Sequence, residues 1–155
     1  MAESTRSSES LASIVVGIDG TLHGERALGW AIRLARSSGA TIYAVHAVGL
    51  LVTDEWGRRA PGHSHLSEVE DRFRFEWCAT LLNARVSYDL VCREGDVIDL
   101  LVEQIRSVAA DLVVVGARST KFEGIRELGS TTRYLLESAN IPVLVVPPPL
   151  GDSDS

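Results

Sequence analysis

Ser13 to Asp19 reads SIVVGID, an apolar run that ends in the turn pair Asp19-Gly20. Its hydrophobicity is nearly continuous rather than alternating, which suits a strand covered on both faces, as in a parallel sheet. The period then changes. From Gly24 to Ser38, residues Ala27, Leu28, Ala31, Ile32 and Ala35 recur at helical spacing, and Gly39 supplies a stop. Thr41 to Ala47 (TIYAVHA) reads as a second strand. A strand, a helix and a strand in this order form a right-handed crossover unit, the building block of an α/β sheet.

The rest of the chain continues the alternation. Val48 to His65, with Gly57, Pro61 and Gly62, reads as a long loop. Ser67 and Glu70 have capping-box spacing, so a helix is expected from Ser67 to about Leu82. Arg85 to Cys92 is a third strand, with Val86, Tyr88, Leu90 and Cys92 on one face. Asp96 is placed to cap a helix whose buried stripe is Ile98, Leu101, Ile105 and Val108. Leu112 to Gly116 (LVVVG) is the fourth strand, Thr131 to Ser138 a short helix, and Val143 to Val146 (VLVV) the fifth strand, ended by Pro147, Pro148 and Pro149. The expected architecture is a doubly wound α/β domain over residues 13–147, a five-stranded parallel sheet with helices on both faces. Residues 1–12 and 148–155 are expected to be disordered tails. In such sheets ligands bind beyond the carboxyl ends of the strands, where the strand order reverses. If strands one and four are central neighbours, that crevice lies between Asp19 and Gly116.

Composition narrows the function. A chain of 155 residues suits one domain with its own core, and 45% hydrophobic with 23% charged residues is ordinary globular composition. A formal net charge of −6 argues against nucleic acid as the main partner, because phosphate backbones attract basic faces. No apolar run approaches the roughly 20 residues that span a bilayer, and the Ser- and Glu-rich segment Met1 to Ser10 lacks a secretion signal. Cys78 and Cys92 have no metal-ligand spacing and read as reduced thiols. These features lead to an expectation of a cytoplasmic protein without membrane or nucleic-acid partners.

One loop stands out chemically. Gly116-Ala117-Arg118-Ser119 follows the fourth strand, and Gly129-Ser130-Thr131 opens the next helix. Small residues let a backbone approach a ligand closely, and the amides of a helix N-terminus favour anions. From Arg118 to Arg133 four basic residues stand against two acidic ones, a positive stretch within an acidic protein. The same glycines could simply cap a strand and a helix, and Asp19 could be only the turn residue of its Asp-Gly pair. His63 and His65 lack a third metal ligand; His46, at a strand end, reads as structural. Trp30 and Trp77 fall in helical patterns and read as packing residues, whereas Trp56 lies in the loop. The sequence carries no P-loop, nucleophile elbow, zinc-protease motif or early dinucleotide fingerprint, so an enzyme is not expected.

These segments together resemble the universal stress protein family. Nucleotide-binding members carry Gly, two residues, Gly, nine residues, then Gly and Ser or Thr; Gly116, Ser119, Gly129 and Ser130 keep that spacing. The segments IVVGIDG, ERALGWAIRLAR, ADLVVVGAR and GSTTRYLLESANIPVLVVP are also similar to the family. The resemblance implies strand order 3-2-1-4-5 and ATP as ligand, with Mg²⁺ as its candidate companion. It implies that Gly17, Ile18 and Asp19 hold the ribose or adenine side and that Ala47 faces the adenine. Val115, Gly116, Ala117, Arg118 and Ser119 would line the ribose and phosphates, and Gly129, Ser130 and Thr131 would wrap the phosphate chain. It further implies a homodimer through Val143, Leu144, Val145 and Val146. This chain departs from the pattern at Ser119, which replaces the second glycine, and at Ala47, which is smaller than the usual aliphatic residue. The expected function is an ATP-dependent regulatory switch in a stress response; the alternatives are a nucleotide-free interaction module of the same fold or a slow ATPase.

Overall fold

The computed structural model describes residues 10–48, 52–53, 59–60, 63–117, 120–122, 125–127 and 129–148. Five strands form the main sheet: β1 (Ser13–Gly17), β2 (Thr41–Val48), β3 (Tyr88–Glu94), β4 (Leu112–Gly116) and β5 (Val143–Val146). All neighbours run parallel, in the order β3-β2-β1-β4-β5. The order reverses at β1 and β4, whose register pairs Val15 with Val113 and Val16 with Val114. Among the described residues four α-helices accompany them: α1 (Leu22–Ser38), α2 (His63–Arg72), α3 (Val97–Ser107) and α4 (Ser130–Ser138). None among the described residues is long and apolar enough to cross a membrane.

The apolar run of β1 is continuous because both of its faces are covered. Ile14 and Val16 pack with Ala27, Leu28 and Ala31 of α1 in one core layer. Val15 packs with Leu101 and Ile105 of α3 and Leu135 of α4 in the other. All three β1 residues are fully buried. Leu28 is buried as completely, and Leu28→Ala would cost about 2–5 kcal/mol through lost transfer energy and the cavity left behind.

Caps set the helix ends. Gly39 adopts the left-handed conformation at φ 77°, and its N–H donates to the Ala35 carbonyl 2.8 Å away, closing α1. Asp96 caps α3 as the sequence indicates: its carboxylate accepts from the Ile98 and Asp99 amides at 2.9 and 3.1 Å. The entry of β1 is tied to the start of β4. One carboxylate oxygen of Asp111 accepts from Ala12 N–H at 2.8 Å and Ser13 N–H at 3.1 Å, and the Asp111 amide donates to the Ser13 carbonyl. Leu11 already packs against the core, so ordered contacts begin ahead of Ser13.

Several local readings need correction. The expected helix from Ser67 to Leu82 starts earlier, at His63, which places Ser67 inside α2 rather than at its cap. It is also not one helix: Phe73–Trp77 forms a π turn and Ala79–Asn83 a 3₁₀ turn. The reason is the five-residue interval between Phe73 and Cys78, both buried. An α-helix would set residues five apart about 140° round its axis. The wider turn, closed by the Cys78 N–H on the Phe73 carbonyl at 3.0 Å, returns both to the core. The third strand starts at Tyr88 rather than Arg85, which sits at φ 56° and cannot join a ladder in that conformation. β1 ends at Gly17, although the Ile18 amide still donates to the Val45 carbonyl. The long loop after β2 carries a short antiparallel pair, Val52–Thr53 with Arg59–Ala60, and a second pair joins Thr120–Phe122 to Ile125–Glu127. Trp30 is not a core residue: it is 43% exposed, beneath the Arg33 guanidinium. Trp77 does pack against the core. Trp56 lies outside the described residues.

Candidate functional site

The carboxyl ends of β1, β2 and β4, with the first turns of α3 and α4, enclose a cavity of about 370 Å³. One wall is apolar, built from Ala47, Val97, Leu101 and Val115. The start of α4 also lines the space, through Gly129, Ser130, Thr131 and Thr132. Gly129 is the N-cap residue and offers no side-chain acceptor to the first amides of α4. These amides, with the positive end of the helix dipole behind them, suit an anionic group. The contrast with α3 is direct, since Asp96 already occupies the equivalent amides there.

The floor is the turn that follows β1. Asp19 Oδ1 accepts from Thr21 N–H at 3.0 Å and from the Thr21 hydroxyl at 2.6 Å, so the carboxylate is held locally as an Asx turn. Gly20 follows at φ 81°, a conformation that favours glycine. Gly24, in the first turn of α1, lies so close that a Cβ there would come within 2.9 Å of Asp19 Oδ1. Gly116 makes a similar approach: a Cβ would overlap the backbone carbonyl of His23, with its carbon at 2.6 Å. Two glycines therefore let α1 sit directly on the ends of β1 and β4.

Of the residues singled out in the sequence, Gly17, Ile18, Asp19, Ala47, Val115, Gly116, Gly129, Ser130 and Thr131 meet around this one cavity. Ala117 does not line it; its amide donates to the Val146 carbonyl at 2.9 Å and extends the β4–β5 ladder. Arg118 and Ser119 lie outside the described residues. The lining also includes Gly24, His46, Val97, Leu101 and Thr132. Leu101 was legible only as a core residue, and Val97 only as the residue after a cap. Gly24 carried a signal in its poor helix propensity at a helix start. His46 is structural, as its position suggested: its Nδ1 lies 2.6 Å from the Ile18 carbonyl oxygen, and its ring packs on Phe73 and Trp77.

The thiols take no part in this site. Burial pushes Cys78 up to about 12, with Cys92 nearby adding to the shift. Burial likewise pushes Cys92 up to about 11, reinforced by Glu70. Both are free, and at neutral pH both are protonated and therefore weak nucleophiles. Among the described residues no group of three or more His, Cys, Asp and Glu is arranged to hold a metal ion.

With this geometry in place, comparison with known proteins identifies the class. Residues 11–147 match the universal stress protein family, and the chain belongs to it. No curated protein matches the sequence. Among solved structures, a universal stress protein in complex with cAMP is 25% identical, with a TM-score of 0.69, covering 88% of this chain and 97% of that one. The universal stress protein of Archaeoglobus fulgidus in complex with dAMP is 22% identical, with a TM-score of 0.64 and coverage of 87% and 97%. An Arabidopsis thaliana family member with AMP bound is 16% identical, with a TM-score of 0.62 and coverage of 93% and 97%.

Proposed function

We propose that this protein binds an adenine nucleotide, ATP foremost, in the cavity between the β1 turn and α4, and acts as a nucleotide-dependent regulatory switch rather than an enzyme. The observation that carries the reading is the presence, around one cavity, of apolar side chains and an α4 N-terminus lacking a side-chain cap. The base would lie against Ala47, Val97, Leu101 and Val115; Gly17, Ile18 and Asp19 would face the ribose. The amides and hydroxyls of Ser130 and Thr131 would take the phosphates, with Gly116, Arg118 and Ser119 beside them. The relatives in complex with cAMP, dAMP and AMP support adenine as the common element. They also favour a second reading, in which the resident ligand is an adenosine monophosphate.

The protein is further proposed to be a cytoplasmic homodimer, with residues 13–147 as the functional unit and no nucleic-acid partner. β5 supports the dimer, since among the described residues it pairs with β4 alone and no strand covers its other edge. Calorimetric titration with ATP, AMP and cAMP, with Gly129→Glu as control, tests the nucleotide site. Gly129 has φ −60°, so glutamate is tolerated by the backbone there while placing a negative charge where phosphate would sit. Saturable binding lost in the control is expected. Flat heats for all three nucleotides at millimolar concentration would refute the site and leave a nucleotide-free interaction module.

A further inference from the structure

We infer that His46, which lines the cavity, is a positioning residue of the nucleotide pocket and acts through the Ile18 carbonyl. The inference rests on the nucleotide reading above for its functional meaning, but its structural content stands on the following contacts. A carbonyl oxygen only accepts, so His46 Nδ1 must carry the proton in the 2.6 Å bond to Ile18. This fixes the ring's tautomer and orientation. The ring is held from behind: Phe73 stacks on it at 5.9 Å between centroids, and Trp77 meets it edge-on at 4.9 Å. Ile18 and Phe73 belong to the α1 core layer, and Ile18, His46 and Ala47 line the cavity with Leu101 and Val115. The imidazole thus ties the pocket lining to the aromatic side chains of the core layer.

The brace closes on three sides of one turn. His46 holds the Ile18 carbonyl. Trp77 lies against Gly20 so tightly that a Cβ there would come within 2.6 Å of its ring. Gly24 of α1 abuts the Asp19 backbone nitrogen, 3.1 Å from where its own Cβ would be. Ile18 is buried, so without His46 its carbonyl loses its partner away from water, and the Ile18–Asp19 peptide would rotate to find another. That rotation moves the Asp19 carboxylate and its Thr21 bonds, which form the cavity floor. The π turn Phe73–Trp77 supplies both aromatic contacts, which gives that irregular segment a role at the site.

The test compares His46→Phe, which keeps a ring but removes the donor, with His46→Asn, whose amide nitrogen replaces Nδ1 as a donor. Two readouts are taken: hydrogen exchange of the Thr21 amide in nucleotide-free protein, and ATP affinity. His46→Phe is expected to lose Thr21 protection and ATP affinity by roughly fivefold to tenfold, on the scale of one hydrogen bond, with His46→Asn recovering most of both. If His46→Phe does not fold, His46→Leu takes its place. Equal Thr21 protection in wild type and His46→Phe, or equal losses in the Phe and Asn variants, would overturn the inference. Wild-type protein that binds none of ATP, AMP and cAMP would instead refute the nucleotide reading, while Thr21 protection still decides the role of His46.

Discussion

Gly116 lies against the backbone carbonyl of His23, with no room for a Cβ between them. The first glycine of the loop after β4 thus meets a packing requirement of its own, the seating of α1 on β4, besides any contact with a ligand. Gly116→Ala should therefore destabilise the ligand-free protein. Overpacking against backbone costs about 1–3 kcal/mol, and a chain of this size loses roughly 2–4 °C of Tm per kcal/mol. A thermal melt of nucleotide-free protein checks this; an unchanged Tm would show that α1 sits further from β4 than described.

Gly24→Ala separates binding from stability. Alanine gains about 0.5–1 kcal/mol of helix propensity over glycine, offsetting the crowding its Cβ brings. That Cβ would be 2.9 Å from Asp19 Oδ1 and must push the carboxylate away from Thr21. The expected outcome is a Tm close to wild type with ATP binding weakened severalfold by titration. Unaltered affinity would remove Asp19 from the ligand contacts.

Cys78 should make the fold sensitive to alkali. Its folded pKa is about 12 against an ordinary value of 9.0. Between these values the unfolded chain has released a proton that the folded chain retains, so stability falls as pH rises from 9 towards 12. The urea midpoint should drop over that window in wild type and drop less steeply in Cys78→Ala. Parallel slopes would show that the thiol is not the group responsible.

The open edge of β5 gives a test of assembly. The Pro142 and Val146 carbonyls accept from β4-side amides, so by the two-residue repeat of a strand the Val145 N–H points away from β4. Val145→Pro removes that outward donor without breaking the β4–β5 ladder. Light scattering at tens of micromolar, the scale of transient interfaces, should show a dimer for wild type and a monomer for the variant. A dimer that persists in Val145→Pro would place the interface elsewhere.

Periodicity and turn chemistry carried most of the architecture. SIVVGID and LVVVG are legible as doubly covered strands because all their inward and outward positions are apolar, and Gly39 and Asp96 mark helix ends through specific backbone bonds. The segment from His63 to Asn83 was legible as a helix but not in its start or its break after Arg72. Its helix begins without a side-chain signal, and its π turn answers a tertiary demand, the burial of Phe73 and Cys78 together. At the site, glycines and hydroxyls announced themselves at loop ends. Val97 and Leu101 did not, since an apolar side chain on a helix reads the same whether it faces a core or a cavity. The role of His46 depends on a bond to a carbonyl 28 residues earlier, which no local pattern encodes.

The clasp of Asp111 on Ala12 and Ser13 has a consequence for synthesis. β1 is the central strand, yet its partner on one side lies 98 residues downstream of Ser13. At about 5–20 residues per second, the ribosome takes roughly 5–20 s to deliver that partner after β1 is made. During that interval β1 can pair with β2 alone, leaving the edge meant for β4 as a bare apolar ribbon of Ile14, Val15 and Val16. The nascent chain is thus most prone to wrong pairing in its middle third, when half of the sheet exists and the strand that seals it does not.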